Sequence, residues 1–363
     1  MKGMNLEGWL PIRVWQEAGQ WRVDWCWFGN TPLHQPFFRD AVEEALRLPF
    51  NQAFRRETPL STLVDWQTCS PGLAPSAFIF HASRCGSTLL SQMLAQLDNH
   101  IVISEPPPLD ALLRSDLPAV ERRAAIEGLL SAYGQRRLGV EQRLVIKLDA
   151  WNIGELPLLR ECFAETPWLF LYRDPLEIAV SHLRRPGMHM VPWMIGASVL
   201  DDELPFEGRE DFIARRLGRL LASGLAQCRE FGGLAVNYSE LPGAMAGRLA
   251  DFFGLDDVQR EQVFAAVGQH AKRPSEVFVR DSDDKRREAS ALLHECVERW
   301  ARAPYEALVA ESCIDSSDAI ASRLTPTLNL GRTQKLCSLK INCGSEPARD
   351  GGGQLTTNLP TKP

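Results

Sequence analysis

Short apolar runs alternate with amphipathic stretches from about residue 76 to residue 312, a pattern typical of buried strands separated by helices. The predicted strands are Ala77–His81, Ile101–Ile103, Leu144–Ile146, Trp168–Leu171 and Leu234–Val236. Apolar residues recur at helical spacing over 117–132, 152–163, 175–184, 208–230, 241–253, 258–269 and 283–311. Strands joined through helices form a parallel sheet with both faces covered, so we predict an α/β fold with three layers, α/β/α.

The first 75 residues have a different pattern and are predicted to form a small Trp-rich N-terminal module. They contain six of the ten tryptophans. Trp21–Trp27 alternates as a strand does, and apolar residues recur at helical spacing from Phe38 to Leu46. The aromatic cluster fits a small core packed on the main domain, and it also fits a module that recognises an acceptor or a partner. The sequence leaves both interpretations open.

The apolar periodicity ends near residue 325. From Thr325 to Pro363 the chain is rich in glycine, threonine and proline, a composition typical of a disordered tail. We therefore predict an N-terminal module (1–75), a main domain (76–324) and a tail (325–363) to which we assign no chemistry.

Composition and charge narrow the classes of function. Lys and Arg number 40 against 46 Asp and Glu, a net charge of −6, which argues against nucleic-acid or anionic-membrane partners. An apolar run long enough for a membrane span is absent from the sequence, and Glu7 interrupts any signal peptide. The nine cysteines include no Cys-x-x-Cys pair, which predicts reduced thiols in a cytoplasmic protein and no metal site. The oligomeric state is not predicted.

A turn of small residues follows the first strand of the main domain. Its sequence, Ser83-Arg-Cys-Gly-Ser-Thr88, combines a cation, a glycine and two hydroxyls at a helix N-terminus, where unpaired N–H groups bind anions. An ordinary helix cap is the alternative, but a cap does not need this succession of residues. The nucleoside-triphosphatase loop has Lys after its last glycine, whereas Ser87 follows Gly86 here. The turn therefore predicts a terminal 5′-phosphate-like group bound without Mg²⁺.

A second polar cluster follows the strand Trp168–Leu171. Arg173 emerges from the strand, and Asp174 and Pro175 are a typical cap and first-turn pair for the next helix. Ser181 lies about two turns beyond Asp174, on the same helix face. A surface ion pair for Arg173 and a solvent-facing position for Ser181 are the alternatives to a phosphate site.

The segment Ser83–Leu90 resembles the 5′-phosphosulfate loop of sulfotransferases that use 3′-phosphoadenosine-5′-phosphosulfate (PAPS). It is most similar to the tyrosylprotein and carbohydrate branches of that family. The family's second motif, an Arg at a strand end and a Ser eight residues later that hold the 3′-phosphate, matches Arg173 and Ser181. The resemblance covers about residues 76–312, does not extend to residues 1–75, and implies a P-loop sulfotransferase fold.

The resemblance also implies roles for individual residues. Glu105 matches the family's general base, Lys147 its lysine that stabilises the transition state, and Tyr238 a strand-end tyrosine near the nucleotide. The residues implied to hold the 5′-phosphate are Arg84, Cys85, Gly86, Ser87 and Thr88, with Arg84 also stabilising charge during transfer. A closing loop is expected within residues 271–286. A charged residue at a strand end can also simply be exposed, which is the alternative for Glu105 and Lys147.

The candidate residues are all expected at one edge of the predicted sheet, because the carboxyl ends of parallel strands lie together and form the ligand-binding edge. The implied reaction is transfer of a sulfuryl group from PAPS, as co-substrate, to a hydroxyl or amine of a small-molecule or peptide acceptor. A P-loop kinase or nucleotide hydrolase, and a non-catalytic nucleotide-binding interaction protein, are the alternatives. If Glu105 is not the base, the next candidates are His81, His182 and His189.

Overall fold

The computed structural model describes residues 5–201, 205–265, 269–270, 273–277 and 282–323. An N-terminal antiparallel sheet precedes the main sheet, and a two-stranded ribbon follows it. The strands are β1 (Trp9–Glu17), β2 (Gln20–Trp27), β3 (Arg56–Pro59), β4 (Pro75–His81), β5 (His100–Ser104), β6 (Arg143–Lys147), β7 (Trp168–Tyr172), β8 (Leu234–Asn237), β9 (Gln269–His270) and β10 (Arg273–Val277).

Helices precede, separate and follow these strands. They are α1 (Phe38–Leu46), α2 (Pro49–Ala53), α3 (Thr62–Cys69), α4 (Ser87–Leu94), α5 (Pro107–Leu113), α6 (Ala119–Tyr133), α7 (Leu156–Cys162), α8 (Pro175–Arg184), α9 (Arg209–Phe231), α10 (Arg248–Phe253), α11 (Asp257–Ala265), α12 (Ser282–Glu288), α13 (Ala291–Trp300) and α14 (Arg302–Arg323). Short 3₁₀ segments lie at Ala150–Glu155, Met188–Met190, Tyr238–Glu240 and Gly243–Ala246.

The main sheet confirms the predicted α/β fold class. Its five strands are parallel in the order β5-β6-β4-β7-β8, and helices flank the sheet. Consecutive side chains of a strand point to opposite faces, and Ala77–Phe80 of β4 are all fully buried. Both faces are therefore covered. From β4 the chain runs first to β5 on one side and later to β7 on the other, so the edge after β4 is a topological switch point.

Several predicted helices are shorter than the periodicity suggested. The stretch 152–163 is a 3₁₀ segment followed by α7, because Pro157 suits only the first turn of a helix. The stretch 283–311 divides into α12, α13 and α14, and the Ser290 side chain caps α13 by accepting from the Leu293 N–H. Periodicity alone does not show such interruptions, since the apolar face continues across them.

The N-terminal residues form a three-stranded antiparallel sheet in the order β1-β2-β3. Strand β1 packs on α5 and α6, and the Tyr133 hydroxyl donates to the Pro11 carbonyl at 3.0 Å. Contacts group the described residues up to Ile320 as one compact unit. The predicted tail, 325–363, lies outside the described residues, and the division at residue 75 stays a prediction.

All the strand-end residues singled out in the sequence follow the carboxyl ends of the main-sheet strands. Glu105 follows β5, Lys147 ends β6, Arg173 follows β7 and Tyr238 follows β8. The register pairs Ser104 with Lys147, which brings the ends of β5 and β6 level. Among the described residues, every helix is too short or too polar to cross a membrane.

Candidate active site

The loop between β4 and α4 is shaped by left-handed backbone. The φ angles are +60° at Ser83, +50° at Arg84 and +87° at Gly86, a region that non-glycine residues rarely adopt. A turn of this kind directs successive N–H groups toward one side, as in anion-binding nests. The Ser83 N–H donates to Nδ1 of His81 at 3.0 Å, whereas α4 begins at Ser87 without a side-chain cap. The first N–H groups of α4 can therefore bind an anion.

Gly86 is required by its surroundings as well as by its φ angle. A Cβ at this position would lie 2.7 Å from Cδ2 of Tyr238, closer than van der Waals contact allows. The Tyr238 ring also stacks on the guanidinium of Arg173, with 4.2 Å between the guanidinium carbon and the ring centroid. Tyr238 thus joins the loop after β4 to the end of β7.

The other loop residues, Cys85, Ser87 and Thr88, differ in which of their groups can face a ligand. Cys85 is buried and its Sγ donates to the Leu171 carbonyl at 3.1 Å, so only its backbone can face a ligand. Burial raises the pKa of the Cys85 thiol to about 12, which keeps it protonated and unreactive. Ser87 and Thr88 are the first two residues of α4, and both are buried.

Arg84 extends from the loop toward the end of α8. Its guanidinium donates to the Arg185 carbonyl at 2.9 Å. Burial and the charge of Arg185 lower the pKa of Arg84, and the Glu105 carboxylate opposes them by raising it. The charges of Arg84 and Glu105 therefore interact across the site.

Glu105 and Lys147 form an ion pair at the ends of β5 and β6, in which the lysine is buried and the glutamate is partly buried. Lys147 is fully buried, and its Nζ lies 2.6 Å from Oε1 of Glu105. The Glu105 backbone has a φ of +51°, and its N–H donates to the Lys147 carbonyl at 2.7 Å. Nε2 of His81 lies 3.3 Å from the same carboxylate oxygen. Because Nδ1 of His81 accepts the Ser83 N–H, the neutral ring carries its proton on Nε2, the nitrogen that lies near Glu105.

The charges around Glu105 determine its protonation. Burial alone would raise the pKa of this carboxyl, but the Lys147 ammonium and the His81 hydrogen bond outweigh burial and hold the pKa well below its ordinary value. The neighbouring Asp149 behaves oppositely, since burial and then the charges of Glu105 and Asp110 raise its pKa well above the ordinary value. Of Glu105 and Asp149, Glu105 is therefore the carboxyl that ionises more readily, and in the resting site it is a weak base.

A second buried ion pair lies at the end of β7. Nε of Arg173 donates to Oε2 of Glu177 at 2.6 Å, and both side chains are buried. The other oxygen of Glu177 accepts from Nε of Arg286 on α12 at 3.1 Å. Ser181 donates its hydroxyl to the Glu177 carbonyl at 2.8 Å. One carboxylate therefore bridges two guanidinium groups, while the Ser181 hydroxyl is held on its own helix.

Sequence reasoning did not identify Glu177 or nominate Arg286. The signal for Glu177 was its i+4 spacing from Arg173 across the start of α8, a spacing that favours ion pairs. Arg286 fell within the expected closing loop, where the motif match was too loose to select a residue. Residues 271–272 and 278–281 of that loop lie outside the described residues.

Two histidines near the site are buried rather than exposed. His182 and His189 stack edge to face at 5.2 Å, and His189 also lies 5.6 Å from the Trp151 ring. Burial, followed by the charges of His81 and Arg216, lowers the pKa of His189 to about 3. His189 is therefore neutral near pH 7 and a poor candidate for the general base.

This depressed pKa predicts a stability change with pH. His189 stays neutral in the folded chain while the unfolded chain binds a proton below the ordinary pKa of 6.5. The stability contributed by His189 is present above this value and is lost as pH falls toward the folded pKa. When the pH falls from about 7.5 to about 5, the free energy of unfolding, measured in urea, should decrease by about 2 kcal/mol more in the wild type than in His189→Gln. His294→Gln, which removes an exposed histidine of α13, is the control and should show the same decrease in unfolding free energy with pH as the wild type. An equal decrease in all three proteins would contradict a buried, neutral His189.

Within the described part of the chain, no group of three or more His, Cys, Asp or Glu side chains is arranged to hold a metal ion. Cationic side chains near the loop between β4 and α4 include Arg84, Lys147 and Arg173.

Comparisons with known proteins gave matches in structure only. No protein-family model matches the chain, and no curated protein matches it in sequence. The solved "Sulfotransferase Domain from the Curacin Biosynthetic Pathway" is similar with a TM-score of 0.41 and 18% identity over 63% of this chain and 98% of that domain. The "Sulfotransferase Domain from the Synechococcus PCC 7002 Olefin Synthase" is similar with a TM-score of 0.36 and 18% identity over 67% of this chain and 96% of that domain.

Proposed function

We propose that this chain is a sulfotransferase that moves a sulfuryl group from PAPS to a hydroxyl or amine of an acceptor. The observation that carries the proposal is the Glu105–Lys147 pair, 2.6 Å apart, at the same sheet edge as the anion-binding loop and Arg173. A carboxylate and an ammonium beside two clusters that suit anions would supply the base and the cation for transfer of a sulfuryl group from a phosphate oxygen to a hydroxyl or amine.

The two anion sites suit the two phosphate groups of the donor. The N–H groups of residues 84–88 and the hydroxyls of Ser87 and Thr88 would hold the 5′-phosphate, with Arg84 adding charge. Arg173, with Ser181 on the following helix, would hold the 3′-phosphate, which ATP lacks. The Tyr238 ring lies between these sites, in contact with Arg173 and close to Gly86.

The reaction needs one proton acceptor and a cation at the leaving group. The acceptor oxygen or nitrogen attacks sulfur, and the bond between sulfur and the 5′-phosphate oxygen breaks. The acceptor proton goes to the Glu105 carboxylate, and the leaving 3′-phosphoadenosine-5′-phosphate (PAP) carries away the bonding electron pair. Lys147 and Arg84 stabilise the charge that develops on the transferred group and the phosphate oxygen.

Donor binding would also adjust the basicity of Glu105. In the resting site the Lys147 ammonium holds the pKa of Glu105 low. When Lys147 shares its charge with the donor's anionic oxygens, this effect weakens, and burial then favours a higher pKa for Glu105. The carboxylate becomes a stronger base when a donor is present, which suits proton transfer during reaction.

The same loop argues against a kinase. Ser87 stands where the nucleoside-triphosphatase motif has the lysine that holds the β- and γ-phosphates. An acceptor of small-molecule or peptide type, and a cytoplasmic location, stay predictions of the sequence.

The test measures nucleotide selectivity by calorimetry. Wild type should bind PAP more tightly than 5′-AMP or ATP, with or without Mg²⁺, because only PAP offers a 3′-phosphate to Arg173. Hydrogen bonds to charged groups contribute about 1.5–3 kcal/mol, so Arg173→Ala should weaken PAP binding at least about tenfold and leave 5′-AMP binding nearly unchanged.

Two further variants make this test specific. Arg173→Lys keeps a charge and should lose less PAP affinity than Arg173→Ala. Arg123→Ala, which removes a partly exposed arginine paired with Glu161, should bind PAP as wild type does. Equal losses for PAP and 5′-AMP in Arg173→Ala would remove the 3′-phosphate assignment, and tighter binding of Mg·ATP than of PAP by wild type would favour a kinase.

A further inference from the structure

The N-terminal part of the chain contacts the Glu105–Lys147 ion pair through the ring of Phe37. The Phe37 ring centroid lies 5.0 Å from Nζ of Lys147, and the ring is partly buried. Lys147 is fully buried, and its ammonium is 2.6 Å from Glu105. A ring at this distance interacts favourably with an ammonium through its electron-rich face, most strongly where water is excluded.

The backbone around Phe37 is anchored on both sides. Phe37 precedes α1, and its carbonyl accepts the Asp40 N–H at 3.1 Å. The next residue, Phe38, is buried and packs on Tyr133 with 5.2 Å between ring centroids. On the other side, Nδ1 of His34 lies 2.8 Å from the Ala95 carbonyl after α4. The ring is therefore presented to Lys147 by fixed backbone.

A second residue of the same segment acts on the site by its charge. Arg39, in the first turn of α1, lowers the pKa of Asp149 against the effects of burial, Glu105 and Asp110. Asp149 follows Lys147 by two residues at the end of β6. Two residues of one short segment thus influence the group of charges around Glu105, which is more than a single chance contact.

We propose that Phe37 is a positioning residue for Lys147, so that the N-terminal residues complete the active site. The aromatic face excludes water from the ammonium, offsets part of the loss of its hydration, and restricts where Nζ can point. Within the described part of the chain Lys147 contacts Glu105 and Phe37, and its remaining N–H donors would be available to the transferred group. This inference rests on the proposed sulfuryl transfer and adds a role for residues to which the sequence assigned none.

The experiment compares three variants in PAPS turnover and in thermal unfolding. Phe37→Leu keeps an apolar side chain but removes the ring, and Phe37→Tyr keeps the ring. Phe54→Leu is the control, because Phe54 belongs to the same N-terminal part and is 60% exposed. We expect Phe37→Leu to lower kcat about 3- to 30-fold with the KM for PAPS nearly unchanged. Phe37→Tyr and Phe54→Leu should retain near wild-type kcat, and all variants should unfold near the wild-type temperature.

The possible outcomes distinguish a role of the Phe37 ring in positioning Lys147 from a role in packing alone. Wild-type kcat in Phe37→Leu, or equal losses in Phe37→Leu and Phe37→Tyr, would overturn the proposal, because packing alone would then explain the contact. If wild type shows no sulfuryl transfer, the proposed function fails, and NMR of the Lys147 ammonium still tests the positioning. A ring-current shift of that signal that is retained in Phe37→Tyr and lost in Phe37→Leu supports the role of Phe37, and its absence in wild type overturns it.

Discussion

Replacement of Glu105 by glutamine is expected to lower PAPS turnover about 10²–10⁴-fold, the range that a positioned proton acceptor contributes. Glutamine keeps the size of the side chain and can still accept a hydrogen bond from Lys147, but it cannot take a proton from the acceptor. PAP affinity should change little, because the phosphate groups are assigned to Arg84–Thr88 and Arg173. The measurements are kcat with a responsive acceptor, or slow donor hydrolysis to PAP as a first readout, together with calorimetry.

A surface glutamate supplies the matched control for this substitution. Glu161→Gln removes a carboxylate that is half exposed on α7 and paired with Arg123, and it should turn over as wild type does. Wild-type turnover in Glu105→Gln would remove Glu105 as the base. The search would then move to His81, since the depressed pKa of His189 makes that residue a weak base. A parallel loss of PAP affinity would instead mean that Glu105 mainly orients Lys147 or Arg84.

Lys147→Met should give the second large effect, a loss of about 10²–10³-fold in kcat. Methionine fills a similar volume without a charge, so the transferred group loses a fixed cation in a buried site. The substitution also leaves Glu105 without its strongest opposite charge, and burial will then raise the pKa of Glu105 toward or above the ordinary value of 4.5. We therefore expect Lys147→Met to lower the unfolding temperature as well as the rate.

A double variant separates these two consequences. In Lys147→Met/Glu105→Gln the unpaired carboxylate is gone, so the unfolding temperature should recover relative to Lys147→Met alone. The rate should not recover, because both the base and the cation are absent. If the double variant regains both stability and turnover, the ion pair has a structural role only, and the reaction must be assigned to other residues.

Local patterns in the sequence predicted the main sheet and the polar residues at the carboxyl ends of its strands. Each of the five predicted apolar runs lies in a strand, as expected for apolar runs too short for a typical helix and bounded by turn residues. Arg84, Glu105, Lys147, Arg173 and Tyr238 follow those runs closely, and in a parallel sheet this places them on one edge. The cap at Asp174 was also confirmed, since its side chain accepts from the Leu176 N–H at 2.9 Å.

Elements that contain proline near their start were less visible in the sequence. Residues 107–113 were not assigned to a helix or strand, yet the two prolines at their start suit the first turn, and α5 forms there. Strand β1 was missed because Pro11 interrupts its apolar pattern and because its pairing with β2 is a tertiary contact. Such elements are stabilised by the surfaces on which they pack, and local propensity carries little of that information.

The sequence by itself therefore determined the fold class, the order of the strands along the chain and the residue types at each strand end. Only the tertiary structure decided which of these side chains meet. Lys147 contacts Glu105 and Phe37, and Glu177 on α8 bridges Arg173, at the end of β7, and Arg286 on α12. Hydrophobic periodicity reflects burial along one element, whereas these pairs depend on how separate elements pack. The protonation of Glu105 follows from that packing, because burial and the opposing charge of Lys147 arise only in the folded chain.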